Sequence, residues 1–181
     1  MRLPRAALLL GVAAALAAAA PASAGPTAPD VPDRIAVPEG HKPFLIAHAS
    51  GVQRYPCTTV PGGHAWGAST PQAVLTGGNG HVIGDHFGGP SWRTKDGSTV
   101  TAARVDGVTV DPAAIPWLLL RRTPVGIGVT DGRLGATTYI QRVATNAGLT
   151  PAAELCNALT AGTAREVPYT ADYVFWKERT A

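Results

Sequence analysis

Charge is scarce in this sequence. Its 181 residues carry 15 Lys and Arg against 12 Asp and Glu, a net charge of +3. That excludes a strongly cationic nucleic-acid binder, which needs a basic patch or stripe to neutralise phosphates. Cysteine is scarcer still: Cys57 and Cys156 are the only two, too few for a disulfide-dense mini-protein. The motifs of the common catalytic classes are missing as well. There is no G-x-S-x-G elbow, no H-E-x-x-H pair, no P-loop and no G-x-G-x-x-G. Gly126-Ile127-Gly128 followed by Gly132 misses the dinucleotide spacing by one residue. Beyond residue 24 no apolar run reaches the roughly 20 residues that a membrane-spanning helix requires.

What is present starts with a leader. Arg2 and Arg5 precede an Ala- and Leu-rich run from Ala6 to Ala20, and Ala22-Ser23-Ala24 is a small-x-small cleavage signature. This pattern reads as a secretory signal peptide over residues 1–24. No cysteine follows the cleavage site, which argues against a lipid anchor. Removing the leader leaves 157 residues with a net charge of +1, enough for one domain that buries roughly 68–70% of its unfolded surface. The expectation is a secreted protein, extracellular or envelope-associated, with no stable membrane insertion after cleavage. Residues 25–37, with Pro26, Pro29 and Pro32, read as an extended, poorly packed Pro-rich leader, and 38–181 as a single β domain. In an oxidising compartment Cys57 and Cys156 are expected to be joined, closing a loop of about 100 residues that is worth roughly 4.7 kcal/mol in a chain-entropy treatment.

The rest of the chain reads as short strands separated by Gly and Pro. Phe44, Ile46 and His48 alternate with Leu45, Ala47 and Ala49, and Val52 to Thr59 resumes the run after Gly51, which looks like a bulge. Asp96-Gly97 between Thr- and Val-rich segments signals a hairpin. Trp117 to Leu120 suits a strand covered on both faces, and Thr137, Tyr139 and Gln141 alternate with Thr138, Ile140 and Arg142. The best helix candidate, capped by Thr150 with Pro151 next, is short and lies near 150–160. The architecture expected is all-β, a single-domain β-sandwich or barrel.

Candidate chemistry is thin. His81, Asp85 and His86 are the metal-ligand candidates, yet on a regular strand His86 points away from the other two, and only a bulge at Gly84 would make them converge. The plainer reading is a surface His and Asp beside a turn. His48, sharing a face with Phe44 and Ile46, reads as half-buried and hydrogen-bonded in the core. Asp85, Asp96 and Asp106 are the carboxylates for a glycosidase-like pair, although Asp96 is already explained by its turn. Among the aromatics, Trp92, Trp66 and Tyr55 are the binding candidates. In a two-residue hairpin at Asp96-Gly97, Trp92 falls on the side of Thr94, Thr99 and Thr101, a face polar enough to be solvated; against this stands the tendency of large aromatics to be buried.

Several segments in order resemble a known family: Gly51-Val52-Gln53-Arg54-Tyr55-Pro56-Cys57, His86-Phe87-Gly88-Gly89-Pro90-Ser91-Trp92, Ile115-Pro116-Trp117, Tyr139-Ile140-Gln141-Arg142 and Val167-Pro168-Tyr169. The family is a secreted one of bacteria and fungi, catalogued as a domain of unknown function, DUF3455. The resemblance implies export, one all-β domain and pairing of Cys57 with Cys156. It transfers no catalytic residue. Some members carry the name malate dehydrogenase, which this sequence contradicts, lacking both the nucleotide fingerprint and the alternating strand-helix pattern. The leading expectation is a non-catalytic binding module without cofactor, its partner an envelope polymer or small ligand and not nucleic acid. An exported metal-assisted enzyme, with a bound metal ion, and a structural envelope protein are the alternatives.

Overall fold

The structure, a computed structural model, describes residues 25–124 and 131–180. The expected signal peptide and the Gly126-Ile127-Gly128 segment lie outside the described residues. Among the described residues nine strands form one antiparallel sheet: β1 (His41–Val60), β2 (Gly63–Trp66), β3 (Thr70–Thr76), β4 (Val82–Phe87), β5 (Ser91–Thr94), β6 (Thr99–Val108), β7 (Trp117–Arg122), β8 (Tyr139–Ala147) and β9 (Ala164–Glu178). β3 to β9 follow one another as neighbours, and β1 closes the circle by pairing with β3 on one side and β9 on the other. The result is an eight-stranded up-and-down barrel, which leaves no open edge along the ring. β2 is a hairpin partner added to the far end of β1, from Cys57 to Val60.

Alternation decides what lies inside. Leu45, Ala47 and Ala49 of β1, Ala73 and Leu75 of β3, Trp92, Val100, Ala102, Leu120, Ile140, Tyr173 and Phe175 share one interior cluster. Both alternating faces expected around Leu45 are present, but β1 runs unbroken through Gly51. The register shift in β1 falls between Pro43 and Leu45, not at the glycine. Gly51 instead answers a close approach of β3: a Cβ there would lie 2.1 Å from the Gln72 carbonyl oxygen.

The leader is more tightly held than its composition suggests. Ile35 is fully buried, and Val31 and Val37 pack with Val143, Val174 and Trp176 on the outside of the barrel wall. The Gln141 amide donates to the Ile35 carbonyl at 2.7 Å, and Arg34 grips the Asp106 carboxylate with two nitrogens. This cover explains why β7 and β8 are apolar or buried on both faces. Near residue 150 no α-helix forms; a single 3₁₀ turn, Ala153–Leu155, leads into Cys156. Cys156 is bonded to Cys57, 99 residues earlier, tying the β8–β9 connection to β1. Among the described residues no helix is long and apolar enough to cross a membrane.

Candidate functional site

One end of the barrel is plugged and the other is hollow. At the plugged end the Asp96 carboxylate accepts from the Thr94 and Ser98 hydroxyls and from the Arg133 backbone N–H, and Ser98 Oγ accepts from the Leu134 N–H. These bonds hold the Asp96 carboxyl well below the usual carboxylate range, the Thr94 hydroxyl contributing most. They also seat Leu134, 1% exposed, against the interior cluster.

At the opposite end lies a cavity of about 240 Å³, walled by Gln53, His86, Trp92, Leu118, Leu120, Arg142 and Tyr173 and rimmed by Ser69 to Pro71 and Gly88 to Pro90. Six strands contribute a wall residue each or more. That is the geometry of an eight-stranded barrel whose interior holds either packed side chains or one small ligand. Trp92 is fully buried, its ring stacked on His86 with centroids 4.5 Å apart and edge-on to Tyr173 at 5.2 Å.

The polar groups of this wall are incompletely matched. Trp92 Nε1 and Gln53 Nε2 are buried without a hydrogen-bond partner, although Gln53 Oε1 accepts from Ser69. His86 Nδ1 donates to the Ser91 carbonyl at 2.8 Å, which leaves its Nε2 as a lone-pair acceptor. Burial, above all, lowers the His86 pKa to about 3, so the ring is neutral near pH 7. Burial likewise raises the Tyr173 hydroxyl well above its ordinary value. Arg142 directs Nε and Nη2 at the Pro116 carbonyl and borders the Tyr173 hydroxyl. No carboxylate lines the cavity among the described residues.

The sequence-derived candidates scatter. Trp92 belongs to the site, but from inside the barrel and not from an exposed face. The loop after β5 is Lys95-Asp96-Gly97, three residues with Gly97 at φ +84°, so Trp92 pairs with Val100 and not with Thr101. A one-residue change of register turns every side chain of a strand to the other face. Trp66 is half-buried on the β1–β2 hairpin, donating to the Ala152 carbonyl, and does not share a surface with Trp92. Tyr55 is buried and donates to the Gly148 carbonyl, a structural bond.

His81, Asp85 and His86 do not converge. His81 is exposed before β4, Asp85 pairs with Arg93 on the outer face, and His86 points inward. The irregularity in β4 falls next to Ile83 and leaves Asp85 and His86 on opposite faces. Among the described residues no group of three or more His, Cys, Asp or Glu is placed to hold a metal. Asp85, Asp96 and Asp106 each have separate partners. His48 is not a core residue: its ring is half exposed on the outer wall, 2.6 Å from Asp172. Gln53 and Arg142 are site residues that no sequence motif marks. The available signal was a polar side chain in phase with Tyr55 and Cys57, and an arginine in phase with Ile140.

No curated protein and no solved structure matches the chain. A model of one protein family, described as a protein of unknown function (DUF3455), matches residues 38–177, the barrel almost entire. The chain therefore belongs to the DUF3455 family.

Proposed function

We propose that this protein is an exported, non-catalytic binding module that takes a small ligand into the open end of its barrel. The observation that carries this reading is the pair of buried, unpartnered donors, Trp92 Nε1 and Gln53 Nε2, on the wall of a 240 Å³ cavity. Buried polar groups in folded proteins almost always have partners. Leaving a donor unsatisfied costs about 1–3 kcal/mol, so two on one wall point to an occupant that supplies the acceptors. The mixed lining, mostly aromatic and aliphatic with a few converging polar atoms, is that of a small-molecule site. Its volume sits just below the roughly 300–1,000 Å³ of drug-sized pockets. Export is favoured by the leader pattern and by the disulfide. An envelope polymer is the weaker partner, because Trp66 and Trp92 offer no shared stacking surface.

The test is a thermal-shift and ligand-detected NMR screen of small molecules against the purified exported protein, repeated on Leu118→Trp. The larger ring fills the cavity at an overpacking cost of about 1–3 kcal/mol. Hits that disappear in the folded variant support the cavity as the site. Hits that bind Leu118→Trp unchanged, or no hits from a broad screen, overturn it.

A further inference from the structure

Resting on that reading, we propose that the occupant is a small monocarboxylate with a compact apolar body, its anionic end held by Arg142, Trp92 Nε1 and Gln53 Nε2. The inventory of the wall carries the inference. Donors outnumber acceptors: the Trp92 N–H and the Gln53 NH₂ are unpartnered and Arg142 retains N–H groups beyond the two spent on Pro116, while the Tyr173 hydroxyl is already engaged with the Tyr169 hydroxyl at 3.4 Å. Against these stands His86 Nε2 as an acceptor. A ligand that matches such a wall is rich in acceptors and poor in donors. A sugar, with a donor on each hydroxyl, fits it less well.

Charge narrows the class further. Arg142 is the one ionised group lining the cavity among the described residues, and its neighbours there are a neutral imidazole and a tyrosine hydroxyl. A partly buried guanidinium bonded to a backbone carbonyl lacks the counter-charge that such groups usually acquire. A carboxylate supplies a single negative charge and the planar pair of acceptor oxygens that guanidinium N–H groups engage. A phosphate dianion would call for a second cation, and none lines the wall. The apolar remainder, Leu118, Leu120, Pro71 and Pro90 beside the Trp92–His86 stack, suits a short aliphatic or single-ring body.

The experiment is calorimetric titration of the purified exported protein with benzoate, butyrate and hexanoate, each beside its primary amide, and with inorganic phosphate. At least one acid is expected to bind ten- to a hundred-fold more tightly than its amide at pH 7, the range of one charge-assisted contact. Arg142→Met should remove that preference while leaving amide binding in place. Trp92→Phe, which deletes the N–H and keeps an aromatic ring, should weaken the acid about tenfold. If Arg142→Met does not fold, the acid-to-amide ratio on the unaltered protein and Trp92→Phe still decide.

Equal affinity for acid and amide, or amides binding where acids do not, overturns the anion assignment and leaves the cavity reading intact. Phosphate outcompeting every acid overturns it in favour of a different anion. Failure of all these probes in a protein whose cavity takes other, neutral hits also overturns it. Failure of every small molecule sinks both readings together.

Discussion

At the scale of single residues, the most consequential polar side chain outside the cavity is Gln141. It lies on the outer face of β8, yet it is 1% exposed, because the segment around Ile35 covers it. Its amide is spent at both ends, Nε2 donating to the Ile35 carbonyl and Oε1 accepting from Trp176 Nε1 at 2.9 Å. Gln141→Leu keeps the volume but orphans both partners. At about 1–3 kcal/mol for each of the two unsatisfied buried groups, the variant should lose about 2–6 kcal/mol in urea unfolding. An unchanged unfolding midpoint would mean that the segment 31–37 does not seat on the wall in solution. Arg34→Ala, which removes an exposed pair with Asp106, should change stability far less, since such pairs are screened by water. The alternation of Thr137, Tyr139 and Gln141 against Ile140 and Arg142 was legible in the sequence. Which face would be wet was not, because that depends on a partner segment a hundred residues away, and on a ring that makes even the inner face accessible at one end.

At the scale of elements, β8 carries backbone strain that the sequence gives no sign of. Between Val143 and Asn146 the pairing with β9 shifts register, and Ala144 stands at φ +48° with Ala147 at +55°. Left-handed backbone costs a residue with a Cβ roughly 1–2 kcal/mol, and glycine escapes it while giving back roughly 0.5–1 kcal/mol of chain entropy. Ala144 is exposed, so Ala144→Gly should leave packing alone and stabilise the protein by about 0.5–1 kcal/mol, read as a raised melting temperature. Destabilisation would show that the shift in β8 relaxes in solution. The β5–β6 hairpin teaches the complementary lesson. Asp96-Gly97 announces the turn correctly, but the extra loop residue, Lys95, is set by the side-chain bonds of Asp96 to Thr94, Ser98 and Arg133. The bonds to Thr94 and Ser98 are local, but the one from the Arg133 backbone N–H is a tertiary bond to the plug that the hairpin segment alone does not reveal, and together they place Trp92 on the cavity wall and not on an outer face.

At the scale of the whole molecule, a closed ring of antiparallel strands was within reach of the sequence as one of two all-β architectures. The choice between them rests on β1 pairing with both β3 and β9, and the second of these pairings joins segments at opposite ends of the barrel's sequence. Closure also has a consequence for acid stability. It buries His86 in the interior, where desolvation, opposed in part by the bond to the Ser91 carbonyl, holds its pKa near 3 against an ordinary 6.5. The folded state therefore keeps the ring neutral while the unfolded chain binds a proton below pH 6.5. Because the unfolded state binds more protons across that window, stability is fully present above about pH 6.5 and falls as the pH drops toward 3. At about 1.36 kcal/mol for each unit of displacement, the loss at pH 3 is on the order of 4–5 kcal/mol. Asp96 has a depressed folded pKa and adds to this only below its ordinary value of 3.8, where the unfolded chain's carboxyl takes up a proton while the folded one, held by its network at the plug, stays ionised. The two contributions thus separate by pH. Urea unfolding free energies of the unaltered protein should decline from pH 6.5 to 4, whereas His86→Gln should be nearly flat there and share only the steeper fall below 4. Parallel slopes in the two proteins from pH 6.5 to 4 would show that His86 is not the group held neutral, and would open the end of the barrel to water more freely than its geometry allows.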